Sequence, residues 1–215
     1  MGLHQAERYF RERTPRLMDA SGSFAVLVPL VRDREGISLL YEVRAHTMRR
    51  QPGEICFPGG KLEGAELPEA CALRETWEEL AIPASAIHVM GPLDFIAHRS
   101  GRTIYPILGL VDRDAVEHMA LNPGEVDETF LVPLSHLWDQ VPKEYTYPLV
   151  PHPQADFPYD ELGIPRNYPW ANGRETVLSY FWEDRVIWGL TGRITRNLIK
   201  LLKEQGGGQL PDWIW

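Results

Sequence analysis

The sequence has few cysteines and no long apolar run. Cys56 and Cys71 are its two cysteines, too few for a disulfide framework. No stretch is long and apolar enough to cross a bilayer, and residues 1–10 do not have the pattern of a signal peptide. These absences argue against a disulfide-stapled or integral membrane protein. They predict a cytoplasmic protein with no membrane partner.

Positive charge is also scarce in this chain. It has 22 Lys and Arg residues against 30 Asp and Glu, and a net charge of −8. A general nucleic-acid binder needs dense cationic patches, and none is visible in the sequence. We therefore expect no nucleic-acid partner. An anionic small-molecule substrate would have to be bound by a few placed cations or by a metal ion.

The composition is that of a folded chain. Its 215 residues are 44% hydrophobic and 10% aromatic, which is enough for one domain, 1–215, with a sizeable core. The chain also contains 18 glycines and 18 prolines. This is more than average usage, so it predicts many turns and argues against an all-helical bundle.

Hydrophobic periodicity predicts an α+β fold. Strands are expected at 24–31, 37–43, 93–97, 103–111, 177–182 and 185–188, and helices at 3–13, 68–82 and 192–203. Residues 55–57 are expected to form either an edge strand or an extended loop. Because strands and helices follow one another with few β-α-β units, we expect a mixed sheet with helices on both faces.

Two regions have no clear periodicity. Residues 143–172 are rich in proline and aromatic residues and predict a long loop, either a substrate flap or a dimer contact. At the C-terminus, Trp213 and Trp215 fit a self-association surface or a tail that packs on its own domain. A homodimer is therefore one of the expectations.

The helix over 68–82 carries three carboxylates on one face. At about 100° per residue, Glu75, Glu78 and Glu79 lie together, and the opposite side forms an apolar stripe predicted to be buried. That stripe consists of Ala70, Leu73, Trp77 and Leu80. The acidic face would then point away from the core, as a solvated surface or as a site for a hard cation such as Mg²⁺. The helix alone does not decide between these interpretations.

The spacing around this helix resembles the Nudix box. The string GKLEGAELPEACALRETWEELAI over 60–82 matches the pattern at Gly60, Glu66, Arg74, Glu75, Glu78, Glu79 and Ile82. It departs from the pattern where Thr76 replaces an aliphatic residue and Ala81 replaces a glycine. Neither change removes an acid. The resemblance implies a Nudix-type α-β-α sandwich with a mixed sheet.

The same resemblance implies a metal-dependent pyrophosphohydrolase. In that family the box binds divalent cations, usually Mg²⁺ or Mn²⁺, against a substrate diphosphate. Carried over residue by residue, Glu75, Glu78 and Glu79 are expected to be metal ligands. Arg74 is expected to orient a carboxylate, and Glu66 to support the same network. One glutamate would accept the proton of the attacking water, and its identity stays open.

Immediately upstream lies a second pattern, which contains arginines. Arg44 and Arg49 precede Gly53 and the sequence Phe57-Pro58-Gly59-Gly60 at the spacing of the coenzyme A pyrophosphatase group within the Nudix family. Just before it, Leu40-Tyr41-Glu42 replaces the Leu-Leu-Thr of that group. Arginine suits phosphate because its planar fork donates paired hydrogen bonds.

This second resemblance, which runs from about 24 to 202, implies a substrate. It would be coenzyme A or acyl-coenzyme A, cut to adenosine 3′,5′-bisphosphate and phosphopantetheine or its acyl form. We expect Arg44, Arg49, Gly59 and Gly60 to bind this substrate. Which arginine binds which phosphate is not determined.

Other candidates leave alternatives open. Glu125 is expected to add one more catalytic acid from a loop, with Asp127 or Glu128 as substitutes and plain surface exposure as the competing interpretation. His98 fits a surface or substrate-lining role better than that of a base. Competing functions are hydrolysis of another nucleoside diphosphate derivative, such as ADP-ribose or a dinucleotide, and a non-catalytic nucleotide sensor. The complete set of acids argues against a sensor.

Overall fold

A computed structural model describes residues 2–13, 17–33, 36–207, 209 and 211. The chain forms two compact units, one from 1–29 and 58–122 and the other from 30–57 and 123–215. Each unit is therefore assembled from two separate stretches of chain. The single-domain organisation over 1–215 stays a prediction.

The first unit contains helices α1 (Leu3–Glu12), α2 (Pro68–Leu80) and α3 (Arg113–Glu117), and strands β4 (Gly59–Lys61), β5 (Ile87–Pro92), β6 (Ile96–Ala97) and β7 (Arg102–Val111). Strand β1 (Gly22–Asp33) begins in this unit and pairs antiparallel with β4, with Ala25 opposite Gly60. Strand β7 pairs antiparallel with β5 and β6. Helix α2 packs against β4 and β7, and Leu27, Leu80 and Ile82 of this unit are completely buried.

Local sequence sets both ends of α2. Pro68 occupies the start of the helix, where its missing N–H costs no hydrogen bond. Ala81 ends it in the left-handed conformation with φ 55°, and its N–H donates to the Trp77 carbonyl. Glycine is the usual residue there, so alanine tolerates this conformation at a local cost of about 1–2 kcal/mol. The departure from the box at Ala81 therefore leaves the helix end intact.

The second unit contains strands β2 (Gly36–Arg44), β3 (Ile55–Cys56), β8 (Val126–Pro133), β9 (Lys143–Leu149), β10 (Gly173–Trp182) and β11 (Arg185–Trp188), and helices α4 (Leu134–Asp139) and α5 (Gly189–Gln205). Strand β2 pairs antiparallel with the end of β1, with β3 and with β8. Tyr41 on β2 stacks on Phe57 and Phe130, and its buried hydroxyl lies 2.9 Å from Thr195 Oγ1 on α5.

The α+β class with a mixed sheet is confirmed, and each of the three expected helices is present. The expectation of a loop over all of 143–172 is wrong, because β9 pairs with β10 along its whole length. Nearly every residue of β9 is exposed, so its sequence carries no apolar alternation. Strand β5 was not expected either, and within 93–97 the strand is limited to β6.

Further expectations concern the C-terminus, a homodimer and the membrane. Trp213 and Trp215 lie outside the described residues, so the predicted role of the C-terminus stays a prediction, as does the homodimer. Within the described part of the chain, no helix is both long and apolar enough to span a membrane.

Candidate active site

Arg74 connects the carboxylates of the box. Its Nε and Nη2 donate to the two oxygens of Glu66 at 3.0 and 3.1 Å, and its Nη1 donates to Glu75 Oε1 at 2.9 Å and to Glu78 Oε2 at 3.1 Å. These bonds lower the pKa of Glu66 below its ordinary value and raise the pKa of Arg74. One guanidinium therefore offsets the repulsion among three like charges.

Gly59 and Gly60 make room for the remaining contacts of the acidic group. The Gly59 N–H donates to Glu79 Oε2 at 2.8 Å. A methyl group at Gly60 would overlap the Glu75 carboxylate, and one at Gly59 would overlap the carbonyl oxygen of Ala25. The glycine pair is therefore needed because backbone and carboxylates approach too closely for any side chain.

The expected orientation of α2 is wrong. The buried residues of the helix are Cys71, Ala72, Thr76, Glu79 and Leu80, whereas Trp77 is 54% exposed. The buried arc is therefore centred close to Glu79, at about 40° from Glu75, instead of on the apolar stripe. The reason is that β4 packs on this side of the helix, and its glycines leave space for the carboxylates of Glu75 and Glu79. Thr76 stands where the box pattern has an aliphatic residue. It is buried, and its hydroxyl donates to the Ala72 carbonyl at 2.7 Å.

The donor set of the box fits a hard cation. Glu75, Glu78 and Glu79 offer oxygen ligands, the kind that Mg²⁺ and Mn²⁺ prefer, and Glu78 is about half-exposed. Within the described ranges, no three or more His, Cys, Asp or Glu side chains are grouped so that they could hold a metal ion by themselves. Mg²⁺ usually keeps several waters and binds through one or two carboxylates and substrate phosphates. A site that a substrate must complete is therefore compatible with this geometry, and the ligand assignment stays a prediction.

The two arginines upstream of the box lie in the second unit. Arg44 is the last residue of β2, and its backbone is held by two hydrogen bonds: its N–H donates to the Glu54 carbonyl, and its carbonyl accepts from the Gly53 N–H, both at 3.0 Å. Gly53 has φ 71°, a left-handed conformation that is strained for residues with a side chain. Arg49 is exposed in the loop that these bonds close. The glycine of this motif is thus explained by the turn.

The three loop acids have different surroundings. The carbonyl of Glu125 accepts a hydrogen bond from the Ala45 N–H at 2.8 Å, and the residue is partly buried. Both oxygens of Glu128 accept from Arg185 Nη2 at 3.1 Å. Asp127 is exposed, with its carboxylate 3.9 Å from His46. Because Glu128 is already paired, Glu125 remains the preferred candidate for an additional catalytic acid.

One buried acid was missed by sequence reasoning. Glu42 on β2 is 1% exposed and accepts a hydrogen bond from the Cys56 thiol at 3.1 Å. Burial raises the pKa of Glu42 to about 7, while Cys56 and Arg44 act in the opposite direction. The available signal was an acid inside an otherwise apolar strand. His98, by contrast, lies in a turn with Nδ1 2.7 Å from Ser100 Oγ, and its surface or substrate-lining role stays a prediction.

Comparison with known proteins identifies the class. The model of the NUDIX domain matches residues 23–150. The chain is 31% identical over 206 residues to the human mitochondrial coenzyme A diphosphatase NUDT8, covering 94% of this chain and 78% of that protein. It is 39% identical over 179 residues to Nudix hydrolase NudL of Enterobacter sp. (strain 638), covering 81% and 79%.

A third relative, Nudix hydrolase 3 of Caenorhabditis elegans, is 29% identical over 201 residues, covering 87% of this chain and 78% of that protein. The protein is therefore an enzyme that hydrolyses acid anhydrides, and its substrates are nucleoside diphosphate derivatives. The chain belongs to the Nudix family. Hydrolases of this family generally use divalent metal ions.

Proposed function

We propose that this enzyme hydrolyses the diphosphate bond of coenzyme A or acyl-coenzyme A, giving adenosine 3′,5′-bisphosphate and phosphopantetheine or its acyl form. The observation that carries the proposal is the complete arginine motif from Arg44 to Gly60. The names of two relatives support it, the coenzyme A diphosphatases NUDT8 of human and mouse. The enzyme's predicted location is the cytoplasm.

The box residues carry the proposed chemistry. Glu75, Glu78 and Glu79 would hold Mg²⁺ or Mn²⁺, which when bound neutralises diphosphate charge and lowers the pKa of the attacking water. Arg74 keeps Glu75 and Glu78 together, Glu66 holds Arg74, and the Gly59 N–H holds Glu79. A box glutamate, or Glu125, accepts the proton as water attacks phosphorus and the bridging P–O bond breaks. No covalent enzyme intermediate is needed.

The arginines supply substrate recognition in this proposal. Coenzyme A carries a diphosphate and a separate 3′-phosphate, so it needs more cationic contacts than a metal alone provides. Arg44 and Arg49 are placed by sequence directly before the box in a chain of net charge −8. Their forked N–H groups donate charge-assisted hydrogen bonds to phosphate oxygens. Gly59 and Gly60 complete the set of proposed substrate-binding residues.

A substrate panel tests the proposal. Coenzyme A, dephospho-coenzyme A, ADP-ribose and a dinucleoside polyphosphate are incubated with the enzyme and Mg²⁺ or Mn²⁺, and the products are identified by chromatography. We expect the highest kcat/KM for coenzyme A or an acyl derivative. Rapid hydrolysis of ADP-ribose with no turnover of coenzyme A would reject the proposal and leave the wider Nudix activity.

Replacing Arg49 tests the recognition step. Arg49→Ala is expected to lower kcat/KM for coenzyme A by roughly 10- to 150-fold, because a charge-assisted hydrogen bond contributes about 1.5–3 kcal/mol. The matched control is Arg50→Ala, which removes the same charge from an exposed neighbour outside the motif. If Arg49 binds the 3′-phosphate, dephospho-coenzyme A should be unaffected by its loss. Equal kinetics for the two variants would contradict a role of Arg49 in binding.

A further inference from the structure

Strand β2 carries a carboxylate of which only one oxygen has a hydrogen-bond partner among the described residues. Glu42 Oε1 accepts the hydrogen bond from Cys56, but Oε2 is buried and accepts none from the described residues. An acceptor removed from water without a partner loses hydration that nothing replaces. A nearby donor should therefore be found.

Arg44 provides the complementary atom. Its Nε is buried and has no acceptor among the described residues. Glu42 and Arg44 are two positions apart on one strand, so their side chains leave the same face at a spacing of about 7 Å, within reach of two long side chains. The irregularity between β2 and β8 places the extra residue on β8, since Val43 lies opposite Glu128 and Arg44 opposite Val126. The alternation of β2 is therefore preserved.

We propose that Glu42 is a positioning residue, whose carboxylate is linked to the Arg44 Nε–H through one water and so orients the guanidinium toward a substrate phosphate. This inference rests on the proposed function, in which Arg44 binds phosphate. A guanidinium has five N–H groups, so pairing at Nε leaves terminal N–H groups for the substrate.

The electrostatics of the cluster agree with this role. The pKa of Glu42 is raised to about 7, chiefly by burial, and also by the negative charge of Glu125. The Cys56 hydrogen bond and the Arg44 charge lower it. Arg44 is therefore the cation that favours the ionised form of Glu42. The coenzyme A pyrophosphatase pattern has threonine at this position, so the pair is a departure from that pattern.

A double-mutant cycle tests the pairing. KM and kcat for coenzyme A are measured for wild type, Glu42→Gln, Arg44→Ala and the double variant. Glu42→Gln alone is expected to raise KM by about tenfold with kcat within about twofold, and to change KM by less than about twofold when Arg44 is absent. A merely structural role of Glu42 would affect both backgrounds equally. Additive effects would therefore overturn the proposal.

A titration without substrate separates this inference from the proposed function. Carbon-13 NMR of the glutamate carboxyl groups gives the pKa of Glu42 in wild type, Arg44→Ala and the control Arg50→Ala. We expect that pKa to rise in Arg44→Ala and to stay unchanged in the control. An unchanged pKa in Arg44→Ala overturns the pairing whatever the substrate. A raised pKa supports the pairing even if coenzyme A proves not to be hydrolysed, in which case the cycle uses the substrate found by the panel.

Discussion

Glu66 and Arg74 form an ion pair that is held by two hydrogen bonds. Arg74 binds Glu66 through two N–H groups and reaches Glu75 and Glu78 with Nη1. Spacing along the chain predicted that these residues act together. It could not predict that one guanidinium serves all three acids, because that depends on the path of the loop between β4 and α2.

This pair predicts a pH dependence of stability. The pKa of Glu66 is lowered from 4.5, mainly by the hydrogen bonds from Arg74, so its stabilising effect is present above that value and is lost as the pH falls through the lowered pKa. We expect wild type to melt at a higher temperature than Glu66→Gln at neutral pH, and the difference to shrink in acid. Thermal melts over a pH series measure this.

A control for the Glu66 experiment lies in the same loop. Glu63 is exposed, so the melting temperature of Glu63→Gln should be close to that of wild type at each of these pH values. If the difference in melting temperature between wild type and Glu66→Gln stays constant down to the lowest pH, the ion-pair explanation is contradicted.

At the scale of the element, α2 shows why periodicity located the helix and misplaced its buried face. Both ends were predicted from Pro68 and from the proline that follows at position 83. The apolar stripe was then assumed to face the core. Burial instead follows the neighbour that packs on the helix, and β4 presents glycine backbone to Glu75 and Glu79.

Two alanine substitutions on α2 test its orientation. Trp77 is 54% exposed and Leu80 is fully buried. Trp77→Ala should lower the free energy of unfolding by less than about 1 kcal/mol, because surface substitutions have small effects. Leu80→Ala should lower it by about 2–5 kcal/mol, because a buried cavity forms. Urea denaturation gives both values. Equal losses would mean that the helix is rotated from the orientation described.

Strand β9 is an element that hydrophobic periodicity did not predict at all. Its residues are exposed almost throughout, so no hydrophobic pattern distinguishes it from the loop that follows. It exists because the backbone of β10 pairs with it from Lys143 opposite Ser179 to Leu149 opposite Gly173. The paired residues are 24 to 36 positions apart in the sequence, a distance that local periodicity does not report.

For the whole molecule, metal removal should stop catalysis without unfolding the chain. Each unit has its own buried side chains, including Leu27 in the first and Leu178 in the second, and these do not depend on a cation. We expect chelation to abolish hydrolysis and to leave cooperative melting. Added Mg²⁺ should restore activity and stabilise the fold, by about 2.7 kcal/mol at 100 times its Kd.

Glu78→Gln separates metal binding from general stability. Glu78 is about half-exposed, so the variant should fold normally yet respond to Mg²⁺ much less than wild type, in activity and in melting temperature. Glu69→Gln, on the exposed surface of the same helix, is the matched control and should respond like wild type. Full activity of wild type in chelator, or a normal Mg²⁺ response of Glu78→Gln, would contradict the metal assignment.

The sequence by itself determined the family, the ends of α2 and the identity of the acids and arginines, because these depend on residue type and spacing along the chain. Tertiary structure decided what surrounds them. It buried Glu79 against Gly59, exposed Trp77, paired Glu128 with Arg185 and enclosed Glu42 beside Cys56. The physical reason is that burial and charge compensation are set by the elements that pack on a residue, and those neighbours come from distant parts of the chain.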